Sequence, residues 1–174
     1  MKRIVLTGAE STGKSTLAQA LSGYYGEPWT SEYVRHYVDQ IDRELEESDL
    51  EPIAIGQLAQ EDCSLSKASR LILHDTNILS SIIYANYYFG RSIEWVNSDF
   101  LGRQYDLYLL CLPDIPWVAD AAQRSSPQMR AKLHQYFTQA LDRLQLPYIT
   151  LSGSATARFG EAIQAIDTVL EQDK

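Results

Sequence analysis

An apolar run over residues 4–7 leads straight into "GAESTGKST", residues 8–16, and a helix-forming stretch follows. Every fixed position of G-x-x-x-x-G-K-[ST] is filled, by Gly8, Gly13, Lys14 and Ser15. This motif constrains the fold because it works only between a buried strand and a helix N-terminus. Its glycines let the backbone wrap an anion, and successive amides point inward with the helix end. Gly8, Glu10, Ser11, Thr12, Gly13, Lys14, Ser15 and Thr16 are the expected contacts to nucleotide phosphates. For ATP, Lys14 is expected on the β- and γ-phosphates and Ser15 on Mg²⁺.

The remaining chain alternates in character. A helix is expected from Lys14 to about Tyr25, stopped by Gly26 and Pro28, then a short strand at 29–31 and a helix from about Tyr33. The acidic stretch "RELEESDLEP", residues 43–52, is expected as a solvated connection before a helix over about 52–68. "RLILHDT", "DLYLLCL" and "PYITLS" supply three further strands. Helices are expected between them, from Ile78 to a stop at Gly90 and from the Ser126-Pro127 pair onward, and a last one carries Phe159, Ile163, Ile166 and Leu170. Near-continuous apolar strands alternating with helices predict a parallel sheet covered on both faces. The expected fold is α/β, a three-layer P-loop NTPase fold with a parallel five-stranded sheet, in one domain over residues 1–174. The Pro-bearing stretch at about 113–130 is expected to act as a lid-like segment.

A net charge of −8 argues against a nucleic-acid partner, since that affinity rests on clustered Lys and Arg. No stretch is apolar for long enough to span a bilayer, so no membrane partner is expected. The opening apolar run is too short for a signal peptide, and a cytoplasmic location is expected. Cys63 and Cys111 have no neighbour at metal-ligand spacing and are expected as buried thiols. His36, His74 and His134 form neither a metal set nor a nucleophile triad.

The phosphate loop serves kinases, GTP switches and motor ATPases alike. A guanine-specific GTPase would carry N-K-x-D and D-x-x-G, and neither is present; "DTNI" follows the third strand. Motor ATPases of the AAA class carry adjacent Asp-Glu there, whereas this chain has Asp75-Thr76. A small-molecule kinase makes positive demands, and each has a candidate. Asp75, at the end of its strand, suits a Mg²⁺ ligand; the alternative is a helix cap. Glu32 suits a general base toward a substrate hydroxyl; the alternative is a first-turn acid favoured by the helix dipole. Arg35 reaches substrate or pairs with Glu32. Arg124, and less so Arg130, suits a lid arginine that offsets charge during transfer, or else a solvated loop charge. Trp29, Tyr33, Tyr84, Tyr87, Tyr88 and Trp117 are candidates for stacking on a planar base.

The stretches "GAESTGKSTL", "EYVRHYV", "AIGQLAQED", "HDTNILSS", "YDLYLLC" and "PWVAD" with Arg124 following resemble, in this order, the ribosylnicotinamide kinase domain of NadR-type proteins. The resemblance runs from residue 2 to about 152. It implies a nucleoside-kinase-like core and ATP-dependent phosphorylation of the 5′-hydroxyl of nicotinamide riboside. By it, Lys14 and Ser15 act on ATP and Mg²⁺, Asp75 lies at the metal or the acceptor hydroxyl, and Arg124 lies in the lid. It also places Glu32 and Arg35 in an "EY-x-R" motif near the substrate; Trp29, Tyr33, Asn77 and Tyr84 are the further residues expected to bind the acceptor. The family pattern places a Trp directly before the Glu-Tyr pair, where this chain has Ser31, and reads "DTD" where this chain reads "DTN". The nucleotidyltransferase domain and DNA-binding segment of those proteins are not expected here. The alternatives are a kinase for another nucleoside-like acceptor and an ATP-dependent regulatory switch.

Overall fold

The computed structural model of the chain describes residues 1–41, 43–91, 100, 102–117 and 127–172. Five strands are described: β1 (Lys2–Thr7), β2 (Trp29–Thr30), β3 (Leu71–Asp75), β4 (Leu107–Cys111) and β5 (Tyr148–Leu151). They pair in parallel in the order β2-β3-β1-β4-β5. The helices are α1 (Lys14–Tyr25), α2 (Tyr33–Val38), α3 (Leu50–Leu65), α4 (Ile78–Phe89), α5 (Pro127–Arg143) and α6 (Ala155–Glu171).

Alternation along β1 divides the core. Ile4 and Leu6 face α1 and α6, in a cluster with Leu17, Leu21, Leu73, Leu109 and Ile166. Val5 faces the opposite way, toward Ala54 and Leu58 of α3, Leu79 and Ile83 of α4, and Phe137 of α5. Both faces of the sheet are thus covered, which is why its strands read as apolar runs. The helix stops also fall as expected: Gly26 and Gly90 end α1 and α4 with φ of 67° and 62°.

Two expectations need correction. The acidic stretch 43–52 is not merely solvated. Asp49 is 2% exposed, takes a two-pronged hydrogen bond from Arg43 at 2.7 and 2.8 Å, and accepts from the Tyr37 hydroxyl at 2.8 Å. The Arg43 guanidinium holds its carboxyl well below the usual carboxylate range. Asp49 also accepts from the Glu46 amide, closing a capping box around a short 3₁₀ turn, Glu47–Asp49, that leads into α3. Of the two thiols only Cys111 is buried, and Cys63 is exposed.

Strand order reverses beside β1, with β3 on one side and β4 on the other, and open α/β sheets bind ligands in the crevice beyond such a point. The register aligns Leu6 with Asp75, bringing the end of β3 level with the start of the phosphate loop. Among the described residues no helix is long and apolar enough to cross a membrane.

Gly8 leaves β1 at φ 126°, and a Cβ there would lie 2.8 Å from the Cys111 carbonyl oxygen. A backbone atom cannot swing aside as a side chain can. Gly8→Ala is expected to lower unfolding free energy in urea by about 1–3 kcal/mol, from backbone strain alone before the contact is added.

Candidate active site

The phosphate loop closes on α1, whose N-cap is Gly13 at φ 81°. Ser11 also takes a positive φ, 54°, so the wrap uses a strained non-glycine residue as well. Lys14 is 7% exposed, and its Nζ donates to the Ala9 carbonyl at 2.8 Å, which holds the ammonium over the loop. The Thr12 hydroxyl donates to the same carbonyl at 2.9 Å.

Asp75 is 1% exposed. Burial pushes its carboxyl above the ordinary value, against the pull of Lys14; Glu32 pushes it further up and a hydrogen bond from the Ser15 hydroxyl pulls it down. Its Oδ1 has no hydrogen-bond partner among the described residues. A buried, unbonded carboxylate oxygen beside a loop hydroxyl is a donor set that fits Mg²⁺, which takes one or two protein oxygens and completes its shell from phosphates and water. No group of three or more His, Cys, Asp or Glu side chains able to hold a metal lies among the described residues. Thr76 follows at φ 66°, turning the chain out of the sheet directly after this carboxylate.

On the α3–α4 side, the loop opens into a cleft bordered by Glu10, Glu32, Thr76, Ser80, Tyr84 and Tyr88, with Leu45, Leu50 and Ile53 at its apolar end. Tyr84 and Tyr88 stack with centroids 6.0 Å apart and planes 7° from parallel. The Tyr84 hydroxyl is held well above its ordinary pKa by burial, with Glu10 and Glu32 adding to the effect. Glu32 stands at the N-cap of α2 but makes no side-chain cap bond; its Oε2 accepts from Arg35 Nε at 2.9 Å. It thus faces the cleft as a paired carboxylate and does not serve as a helix cap.

The expected acceptor-side residues separate. Glu32, Arg35 and Tyr84 come together. Trp29 does not join them: its register partner is Leu73, and it packs against the α1–α6 cluster on the far face. The Tyr33 ring lies on Gly56 of α3, where a Cβ would come within 2.0 Å of its Cζ. Asn77 is fully buried, and its amide donates to the Tyr108 hydroxyl at 3.0 Å, so its side chain turns toward β4. Arg124 lies outside the described residues, as does residue range 118–126 of the lid-like segment.

Arg130, expected as a second lid cation, is buried instead. It donates to the carbonyls of Ser11, Pro113 and Ile115 at 3.1, 3.0 and 2.9 Å. Arg158, which sequence reasoning missed, donates to the Thr12 carbonyl at 2.7 Å and to Leu112 at 2.9 Å, and pairs with Asp114. No local pattern marks either arginine, since their partners lie more than a hundred residues away in the loop.

A parallel sheet of this order, a phosphate loop after its central strand and a carboxylate at the end of the adjoining strand together define a P-loop NTPase fold. Residues 3–158 match the model of the AAA domain family, and the chain belongs to that family. The match spans β1 to the first turn of α6, with Asp75-Thr76 still standing where a motor ATPase would carry Asp-Glu. The chain is 28% identical over 141 residues to the trifunctional NAD biosynthesis/regulator protein NadR of Salmonella typhimurium, covering 78% of this chain and 34% of the relative. It is 30% identical over 126 residues to NadR of Escherichia coli, covering 69% and 30%. The chain therefore spans about a third of the length of these relatives. The crystal structure of a NadR protein in complex with NAD and AMP-PNP superposes with a TM-score of 0.83 at 22% identity, over 98% of this chain and 49% of that one. Thymidylate kinase from Ehrlichia chaffeensis superposes at 0.68 with 16% identity, over 95% and 98%. The fold is that of NadR and the nucleoside and nucleotide kinases.

The raised pKa of Asp75 carries a sign. The folded chain binds that proton more tightly than the unfolded chain, so ionised Asp75 opposes folding once pH exceeds its ordinary value of about 3.9. Asp75→Asn is expected to raise Tm at pH 7–8 without nucleotide, with the gain shrinking toward pH 4, while Mg²⁺-dependent ATP affinity falls. Scanning calorimetry across pH and ATP titration with and without Mg²⁺ check both halves.

Proposed function

We propose that the chain is an ATP-dependent kinase that transfers the γ-phosphate to the 5′-hydroxyl of a nucleoside, with nicotinamide riboside as the first candidate. The observation that carries this reading is the continuity of the phosphate loop with an acid-lined aromatic cleft at the switch point of the sheet. A switch or motor has no need of a second organic pocket beside its γ-phosphate.

The loop amides and Lys14 hold the triphosphate. The apolar groove beside the loop, bordered by Leu17, Ile115, Ala155, Thr156 and Phe159, suits the adenine ring. Ser15 and Asp75 would hold Mg²⁺, which when bound offsets charge on the phosphates. The acceptor enters from the cleft with its hydroxyl toward the loop. Glu32 accepts the hydroxyl proton, and the Arg35 guanidinium orients the carboxylate through their 2.9 Å contact.

The aromatic face of the cleft favours a cationic acceptor. Glu10 and Glu32 border it, and the Tyr84–Tyr88 stack offers an electron-rich face. A pyridinium ring beside such groups gains about 0.5–2 kcal/mol from the aromatic face alone. The NadR relatives, and the solved structure of NadR in complex with NR, agree with that choice.

Purified chain with ATP, Mg²⁺ and a nucleoside panel, followed by mass spectrometry, is expected to give a nucleoside monophosphate. Nicotinamide riboside is expected to exceed uridine in kcat/KM by about 2–30-fold, the equivalent of that stacking energy. Folded, ATP-binding protein that phosphorylates nothing in the panel would exclude the kinase reading. Lys14→Ala is expected to lower kcat by roughly 10²–10³-fold with the fold retained, as for other donors aimed at transition-state charge. Circular dichroism and steady-state kinetics report the two.

A further inference from the structure

Gln57 and Glu61, in the "AIGQLAQED" stretch of α3, are 2% and 1% exposed; Gln57 borders the cleft, and neither is a reacting group in the chemistry above. They lie one helical turn apart, and Gln57 Nε2 donates to Glu61 Oε1 at 3.1 Å. Each also reaches the backbone of another helix. Gln57 Oε1 accepts from the amide of Tyr33 at 3.2 Å, the residue directly after Glu32. Glu61 Oε1 accepts from the amide of Ile78 at 3.2 Å, at the end of the turn that begins at Asp75. The other carboxylate oxygen accepts from the Tyr105 hydroxyl at 2.7 Å, and Arg103 stands 3.6 Å from it.

Both recipients are the first amides of helices that leave the active site. A helix start normally satisfies such amides with a local Ser, Thr, Asp or Asn. Here the local residues are engaged elsewhere: Glu32 with Arg35 and Asn77 with Tyr108, and neither caps its own helix. A local cap would fix only its own turn. A cap supplied from a third helix fixes two turns relative to each other, and these two turns carry Glu32 and Asp75. Buried ionisable groups are costly where packing alone would suffice.

We infer that Gln57 and Glu61 are positioning residues that set the placement of Glu32 relative to Asp75 by capping α2 and α4 from α3. This assignment rests on the kinase reading of the site and names residues outside its reacting groups. Gln57→Leu, Glu61→Leu and Glu61→Gln in the full chain test it, with Gln57→Leu also built on Glu32→Gln. Hydrogen exchange is expected to quicken at Tyr33 in Gln57→Leu and at Ile78 in Glu61→Leu, with residues 8–16 unchanged. Turnover is expected to fall roughly 10–100-fold, as for a small misplacement of reacting groups, while the KM for the acceptor and the affinity for ATP hold. Glu61→Gln keeps an acceptor for Ile78 and is expected to recover most of the loss; should Glu61→Leu not fold, it and Gln57→Leu decide. On Glu32→Gln, Gln57→Leu is expected to cost little more, because its effect acts through Glu32. Additive losses, unchanged exchange, or a raised acceptor KM at constant kcat would each overturn the assignment, the last by making Gln57 a direct acceptor contact. Additive losses in a chain that turns over overturn this assignment alone; a wild-type chain that phosphorylates no acceptor overturns the site reading along with it.

Discussion

A loop that aims its amides at an anion must aim its carbonyls away from it, and buried carbonyls need donors. The rest of this molecule is arranged to supply them. Ala9 receives Thr12 and Lys14 from within the loop, but Ser11 receives Arg130 from α5 and Thr12 receives Arg158 from α6. The same guanidinium groups hold carbonyls at Leu112, Pro113 and Ile115, beyond β4. The loop's shape therefore depends on two helices from opposite faces of the sheet and on the segment that leaves its neighbouring strand. Arg130 also places positive charge behind the loop, on the side of the helix N-terminus, whereas the charge of Arg158 is paired with Asp114.

The acid side of the site follows a different economy. Asp75 is buried with one oxygen unbonded among the described residues, and Thr76 beyond it takes a strained φ of 66°. Neither feature helps the chain to fold. Both are typical of residues retained for what they do to a ligand. Across the cleft Glu32 is held by Arg35, and the helix starts behind both acids are fastened to α3. The donor half of the site is thus stiffened by arginines on carbonyls, and the acid half by an amide and a carboxylate on N–H groups.

Much of this was legible in the sequence, for local reasons. Lys14, Ser15 and the glycines fall within one loop whose backbone demands them in that order, and Asp75 closes an apolar strand at its carboxyl end; the structure sets that strand beside β1. Tyr84 was legible too, one turn from its partner Tyr88 on a helix that opens at the carboxyl end of the sheet. Trp29 was misplaced because a strand of two residues shows no alternation; its face was set by pairing with Leu73. The Asn77–Tyr108 contact was not legible because nothing near Asn77 announces Tyr108, thirty-one residues on. The stretch 43–52 read as solvated because its charges are dense, yet Asp49 is buried by a pairing with Arg43 that charge counting does not reveal.

The sequence by itself determined the alternating α/β core, the phosphate-type loop and a carboxylate closing an apolar strand, because periodicity and short motifs are set by neighbours in the chain. Only the tertiary structure decided which acids and aromatics meet in the cleft, and that Arg130, Arg158, Gln57 and Glu61 hold the site together. Those contacts join helices to loops distant in sequence. Their geometry depends on strand order and register, which no local stretch of residues encodes.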